Sequence, residues 1–353
     1  MNIRKVCILT GEDGTVSDNW LQACNKYEVK SMIVDIRNED WIEAVKNASY
    51  ILAAPPGNLS YLKQYYDECL TIAAQEIKIP VYPSLTELLM YENKRMQSLW
   101  MRARDIPHPD THVYYDKNAA LNFINNSGYP IVAKSNIGAA GSGVRILKSK
   151  GQAQKYIKLA FSKNGVSRRY GPNFRQRNKL KRYFGALLRP SLFIEKFNSY
   201  NKSYEDRQKW FVIFQEYIPH DFEWRVVRIG ESYFAHKKLK SGDKASGSKN
   251  KEYLNPPLRL LDFVREICEK NNLRSQAVDI FETPDGRLLV NELQTIFGQS
   301  DPYQMLVNGM PGRYIHDGNA WLFEEGDFTT NECFDIRLRD VLLMFDKYYP
   351  ITK

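Results

Sequence analysis

The chain of 353 residues is 43% hydrophobic and 13% aromatic. That is enough apolar content for roughly two or three domains' worth of core, and too much for a disordered chain. No run approaches the ~18–20 apolar residues of a membrane helix. The start, MNIRKVCILTG, turns polar after Leu9, too soon for a signal peptide. The net charge of +9 is concentrated: residues 161–210 carry thirteen basic and three acidic residues, a surplus of ten, so the rest sums to about −1.

Five cysteines (Cys7, Cys24, Cys69, Cys268, Cys333) are scattered and form no CxxC pair. We therefore expect reduced thiols in a cytoplasmic protein and no zinc site. The five histidines show no metal-ligand spacing either.

Residues 1–90 alternate apolar runs with helical spacing. Strands are expected over 6–9, 31–35, 50–54 and 78–81, and helices over 18–27, 38–47 and 60–75. Such alternation predicts a Rossmann-like parallel sheet. Gly11 and Gly14 follow the first strand but make no GxGxxG, so no dinucleotide site is expected. Helical periodicity resumes over 85–103, carrying Asn93-Lys94, and ends at IPHP (106–109). On this pattern alone Lys94 reads as a solvated helix lysine. Another helix is expected over 118–127.

Residues 129–147, YPIVAKSNIGAAGSGVRIL, hold two apolar runs around small residues. This is a hairpin signature, with Lys134 ending the first strand and the loop running from Gly138 to Gly143. Glycines let backbone N–H groups converge on an anion. The bland alternative is an ordinary glycine hairpin with a surface lysine. After a helix over 151–161 comes the basic, aromatic segment, without periodicity over 162–181. It reads as a solvated insertion, a cationic lip for an anionic substrate, or a nucleic-acid surface, the last being least favoured.

A strand over 211–214 leads into Gln215-Glu216-Tyr217-Ile218-Pro219. A hairpin over 223–239 turns at Gly230-Glu231-Ser232, and a polar loop follows over 240–248. A helix is expected over 257–271. A second hairpin, 277–281 with 287–292, turns at Thr283-Pro284-Asp285-Gly286. It places Asp279 and Glu292 on paired strands, with Gln294 on the same face as Glu292. These are hard oxygen donors suited to Mg²⁺ shared with phosphates. The bland alternatives are a strand-edge acid and a salt-bridge partner. The tail beyond Asp301 is mixed and ends in a helix over about 337–348.

In this order, from Ser84 to Ser300, these features resemble the ATP-grasp superfamily, nearest the branch of ribosomal-protein glutamate ligases and more distantly the D-alanine–D-alanine ligases. The resemblance implies an α/β (α+β) ATP-grasp fold behind an N-terminal Rossmann-like pre-ATP-grasp domain. The expected domains are 1–90, then 91–214 with a basic insertion at about 162–209, then 215–353. It also implies site roles. Lys94 and Lys134 reach nucleotide phosphates, and the loop with Gly138, Gly141, Ser142 and Gly143 closes over them. Gln215, with the backbone of Glu216, Tyr217 and Ile218, lines adenine, and Glu223 takes the ribose hydroxyls. Arg225 faces the acyl phosphate, with Lys134 counted beside it as catalytic. Asp279, Glu292 and Gln294 hold one or two Mg²⁺. Gln294 departs from the usual Asn, and KASGS (244–248) from the Arg-Ser-Asn of the glutamate-ligase branch, which points to a different acceptor.

The function so implied is an ATP- and Mg²⁺-dependent carboxylate–amine or carboxylate–thiol ligase working through an acyl phosphate. An acidic small molecule, peptide or glycan precursor is the expected substrate, with no membrane partner. Many relatives are dimers, and a homodimer is kept open. The alternatives are an ATP-grasp phosphotransferase and a non-catalytic protein that binds an anionic polymer or nucleic acid.

Overall fold

The computed structural model describes residues 5–12, 14–138, 141–168, 205–241, 244–245 and 250–348. The basic insertion therefore lies largely outside the described residues, as do Ala139 and Ala140 of the glycine loop and most of KASGS. The described chain divides into two compact units. One comprises residues 1–57, 61–109 and 218–353, and the other 58–60 and 110–217.

The first unit begins with a four-stranded parallel sheet in the order β2-β1-β3-β4, built from β1 (Lys5–Thr10), β2 (Lys30–Asp35), β3 (Tyr50–Ala54) and β4 (Val81–Tyr82). Every residue of β3 is buried, as expected for a strand covered on both faces. Helices α1 (Thr15–Lys26), α2 (Trp41–Lys46) and α3 (Ser60–Thr71) connect these strands. One face of the sheet packs Val6, Ile8 and Leu52 with Trp20 of α1 and Leu338 of the C-terminal helix. The other packs Cys7, Leu9 and Ile51 with Tyr66 and Leu70 of α3. The expected strand over 78–81 is shifted, since Lys78 takes φ 63° and pairing starts at Val81.

The helix expected over 85–103 is two helices, α4 (Leu85–Met90) and α5 (Lys94–Ala103). Glu92 stands between them at φ 48°. Ser84 and Glu87 form a capping box on α4, and the Asn93 side chain accepts from Met96 N to cap α5. Such caps supply partners for N–H groups the helix cannot satisfy itself. The restart puts Lys94 in a first turn.

The rest of this unit is a nine-stranded antiparallel sheet with central order β14-β13-β9-β10-β16-β15. Its strands are β9 (Phe222–Ile229), β10 (Ser232–Ser241), β11 (Lys244–Ala245), β12 (Lys251–Glu252), β13 (Ser275–Glu282), β14 (Leu288–Gln294), β15 (Leu306–Val307), β16 (Met310–His316) and β17 (Trp321–Glu325). The three strands β15 to β17 account for the tail expected to be mixed. Trp224, Val226, Tyr233, Ala235, Val278 and Ile280 pack one face against Leu260, Leu261 and Val264 of α8 (Leu258–Lys270). Period-2 alternation then sends Arg225, His236, Lys238 and Asp279 to the opposite face. The final helix, α9 (Phe334–Tyr348), starts three residues before the expected 337.

The second unit carries a four-stranded antiparallel sheet in the order β5-β8-β6-β7. The strands are β5 (Thr111–Tyr114), β6 (Ile131–Lys134), β7 (Val144–Leu147) and β8 (Val212–Glu216). Helices α6 (Lys117–Asn125) and α7 (Lys150–Ala160) cover it, burying Ile124, Ile157 and Phe214 together.

Candidate active site

Backbone register sets out the site in the first unit. Glu292 of β14 pairs with Asp279 of β13, Asp279 with Arg225 of β9, and Arg225 with His236 of β10. Four polar residues thus form one row across four hydrogen-bonded strands. The next β9–β10 pair on the same face is Glu223 with Lys238. A bulge after Asp279 ends the regular β13–β14 register. A bulge of this kind re-aims side chains.

The charges interlock. Arg225 Nε and one terminal nitrogen donate to the two oxygens of Asp279 at 2.8 and 3.0 Å. Lys238 Nζ donates to Asp279 at 2.6 Å and to Glu223 at 2.8 Å. Lys94 Nζ lies 2.8 Å from Glu292 Oε1. Three cations thus face three carboxylates with little water, since Asp279 is 2% exposed, Lys238 5%, and Lys94 and Glu223 7% each. Burial works against every one of these charges, and pairing restores them. Despite burial, Arg225 and Lys238 hold the Asp279 carboxyl well below the usual range. Against the same burial, Asp279 and Glu223 raise Lys238, and Asp279 raises Arg225.

Lys94 is therefore not the solvated lysine its helical pattern suggested. Its pairing with Glu292 places it on the acidic hairpin. Gln97, one turn on, clamps this arrangement by donating to the carbonyl of Leu293 at 2.7 Å. Glu223 also faces Asn291 Nδ2 at 3.4 Å and His220 Nε2 at 3.9 Å. Ile218 is buried with Phe281 and Leu289.

Lys238 and His236 were not singled out from the sequence. The signal available was the alternation Phe234, His236, Lys238 on a strand whose other face buries Tyr233 and Ala235. That puts a lysine and an imidazole in the row that carries Arg225.

Magnesium needs oxygens to bind. Both Asp279 oxygens already face cations, and among the described residues no group of three or more His, Cys, Asp or Glu could hold a metal. Glu292 and Gln294, whose Nε2 lies 3.3 Å from Glu292 Oε1, supply hard oxygens without a cysteine or histidine. Such a set fits Mg²⁺, which commonly takes one or two carboxylates and completes its shell with phosphates and water.

In the second unit, Lys134 ends β6, 7% exposed, opposite Val144. Ser135 N donates to the carbonyl of Gly143 at 2.8 Å and closes the hairpin. Gly138 has φ 149° and Gly141 φ 70°, conformations that glycine adopts at little cost. Ser142 Oγ and the N–H of Gly143 come within 2.9 and 3.2 Å of where a Gly138 Cβ would stand. A Gly143 Cβ would fall 2.8 Å from Ser135 Cβ. Gly143→Ala is expected to cost about 1–3 kcal/mol through overpacking, read by chemical denaturation. Gln215 is 4% exposed, and its Nε2 donates to Thr111 Oγ1 at 3.1 Å. Its side chain thus braces β5 against β8, while the following segment runs through exposed Glu216 and half-buried Tyr217.

No family model matches the sequence, and no curated protein matches it by sequence. Solved structures do match. A D-alanine–D-alanine ligase from Bacillus anthracis is 15% identical, with 98% of this chain and 99% of that chain covered at a TM-score of 0.54. A carboxyaminoimidazole ribonucleotide synthase from Aspergillus clavatus, complexed with ATP, is 11% identical over 85% of this chain and 72% of its own, TM-score 0.52. The corresponding synthetase from Staphylococcus aureus is 12% identical over 84% and 71%, TM-score 0.52. Identities this low speak to the fold alone, and the mixed α/β fold they share with this chain, with one parallel and two antiparallel sheets, is that of the ATP-grasp proteins.

Proposed function

We propose that the protein is an ATP-dependent ligase that joins a carboxylate to an amine or thiol through an acyl phosphate. The observation that carries this reading is the charged row Glu292–Asp279–Arg225, buried at Asp279 and with its cation already paired, on the antiparallel sheet of the first unit. The structural neighbours are named as ligases and synthetases, and one is complexed with ATP.

The groups for the nucleotide are those the family resemblance implies. In the second unit these are Lys134, the loop with Gly138, Gly141, Ser142 and Gly143, and the segment Gln215, Glu216 and Tyr217. In the first they are Lys94, Ile218, Glu223 and Arg225. Lys94 and Lys134 offset phosphate charge, and the backbone after Gln215 matches the donor and acceptor on adenine's edge. Glu223, already turned toward Lys238, accepts from the ribose hydroxyls. Glu292 and Gln294 would hold Mg²⁺, with Asp279 a ligand only once Lys238 leaves it. The ion, when bound, neutralises phosphate charge and aligns the transferring group.

Arg225 is fixed by two hydrogen bonds to Asp279 and keeps its charge in a nearly dry site. Such a group stabilises the acyl phosphate at no further reorganisation cost. Converting a carboxylate to an acyl phosphate replaces a poor leaving group with a good one. An acidic acceptor suits the basic surplus of residues 161–210. All five cysteines are free thiols, which suits a reducing compartment such as the cytoplasm.

The test is to incubate purified protein with ATP, Mg²⁺ and hydroxylamine against a panel of amino acids, dicarboxylic acids and uronic acids. Acid-dependent ADP together with a hydroxamate is the expected result. A phosphorylated product without hydroxamate would make it a phosphotransferase, and no ADP with any acid would end the ligase reading.

A further inference from the structure

His236 closes the polar row, opposite Arg225 in the β9–β10 register, and no role was expected for it. Its side chain is 1% exposed. Nδ1 lies 2.8 Å from the carbonyl oxygen of Gln304. A carbonyl only accepts, so Nδ1 carries the hydrogen, and in the neutral ring Nε2 is left as a lone-pair acceptor. That Nε2 is buried and, among the described residues, has no hydrogen-bond partner. A buried acceptor left unmade is costly, and this one sits beside Arg225 in the charged row, where a donor from a substrate would satisfy it.

The surroundings fix the ring rather than satisfy it. Tyr253 lies beside it with ring centroids 5.6 Å apart, and Tyr303 meets Tyr253 edge-on at 4.9 Å. The Tyr253 hydroxyl donates to Asp301 at 2.6 Å, and Lys251 donates to the same carboxylate at 2.9 Å. Gln304, which supplies the carbonyl, is 2% exposed, and its amide lies against Gln299 and the Cys333 sulfur. Cys333 ends a run of three non-glycine residues at positive φ, Asn331 (51°), Glu332 (48°) and Cys333 (69°). Left-handed backbone of this kind is strained and persists only where its surroundings enforce it. Here it seats the sulfur beneath Gln304. Burial, with Arg225 and Lys251 nearby, pushes the imidazole pKa down to about 3. The ring is thus neutral at any working pH, and the negative charge of an acyl phosphate at Arg225 would make it more basic once the substrate is in place.

We propose that His236 Nε2 accepts the N–H of the amine that attacks the acyl phosphate at Arg225 and takes its proton. The balance is simple. The amine nitrogen bonds to the acyl carbon, the carbon–oxygen bond to phosphate breaks, and phosphate leaves with the electron pair. The nitrogen's extra proton passes to Nε2 and then to the departing phosphate. The second substrate this base serves is an amine, whose nitrogen carries a surplus proton after the attack. This inference rests on the ligase reading and assigns its second half.

The test separates the two halves. Acid-dependent scrambling of ¹⁸O between the bridging and non-bridging positions of ATP reports acyl-phosphate formation and needs no nucleophile. Amide formation from the same acid with ammonium or methylamine reports the second half. In His236→Asn and His236→Gln, scrambling is expected within about threefold of wild type, which also shows that the variants fold. Amide formation should fall about 10²-fold or more, the usual contribution of a general base. Equal losses in both halves, or undiminished amide formation, would overturn the proposal. If wild type scrambles with no acid, the ligase reading fails and takes this inference with it. A further readout needs no substrate: ¹⁵N imidazole spectra should show a proton on Nδ1 and none on Nε2, and the reverse tautomer would overturn the assignment by itself.

Discussion

Replacing Asp279 with Ala is expected to lower folding stability by about 3–5 kcal/mol, the cost of stripping one partner from a buried ion pair. Asp279 is the shared partner of two cations. Without it, Arg225 loses a two-point contact and Lys238 keeps only Glu223. Neither charge can recover water, because the Arg225 side chain is 14% exposed and that of Lys238 6%. Asp279→Asn keeps the shape but not the charge, so it should lose less. The discriminating measurement is a double-mutant cycle by urea unfolding. Lys238→Met alone leaves two acids facing each other and should also destabilise. The double variant Asp279→Asn, Lys238→Met should lose clearly less than the sum of its parts, since each change removes the charge the other stranded. Additive losses would mean that the two side chains do not share a network. The pH dependence carries the same sign. The Asp279 pKa is depressed on folding, so its contribution is complete above the ordinary carboxylate pKa and is lost as pH falls through the depressed value. Acid unfolding of the Asn variant should be correspondingly less steep.

Much of this arrangement was legible in the sequence. Strand–helix alternation gave the parallel sheet nearly strand for strand, because its central strands β1 and β3 are continuous apolar runs between turn residues. The second hairpin was legible from Thr283-Pro284-Asp285-Gly286, and its register pairs Asp279 with Glu292. What escaped depends on distant partners. Lys94 read as solvated because its burial comes from Glu292, some two hundred residues away. The helix over 85–103 read as continuous because its apolar spacing runs on through Glu92, where only a left-handed φ marks the break. Lys238 and His236 sit in a strand of mixed polarity, and nothing local says that Lys238 will lie between two carboxylates. Strands β15 and β17 are short, and half-exposed positions in them and in β16 leave little alternation to read.

Replacing Glu292 with Gln should separate the metal from the nucleotide. If Glu292 supplies the carboxylate that holds Mg²⁺, the Mg²⁺ concentration for half-maximal nucleotide binding should rise by about 10–100-fold, the range seen when the support of a metal site is removed. Binding of ATP without metal should move the other way or not at all. The substitution removes a negative charge near the polyphosphate and, with it, the ion pair that Lys94 makes at 2.8 Å. Opposite signs are the point, since a generally damaged site would weaken both. Calorimetric titration of ATP at a series of Mg²⁺ concentrations, and in excess chelator, measures both. Identical Mg²⁺ dependence in wild type and Glu292→Gln would remove Glu292 from the metal and leave it as the anchor of Lys94. A matched loss of metal-free binding would show that the ion pair with Lys94, rather than any ion, is what the nucleotide needs.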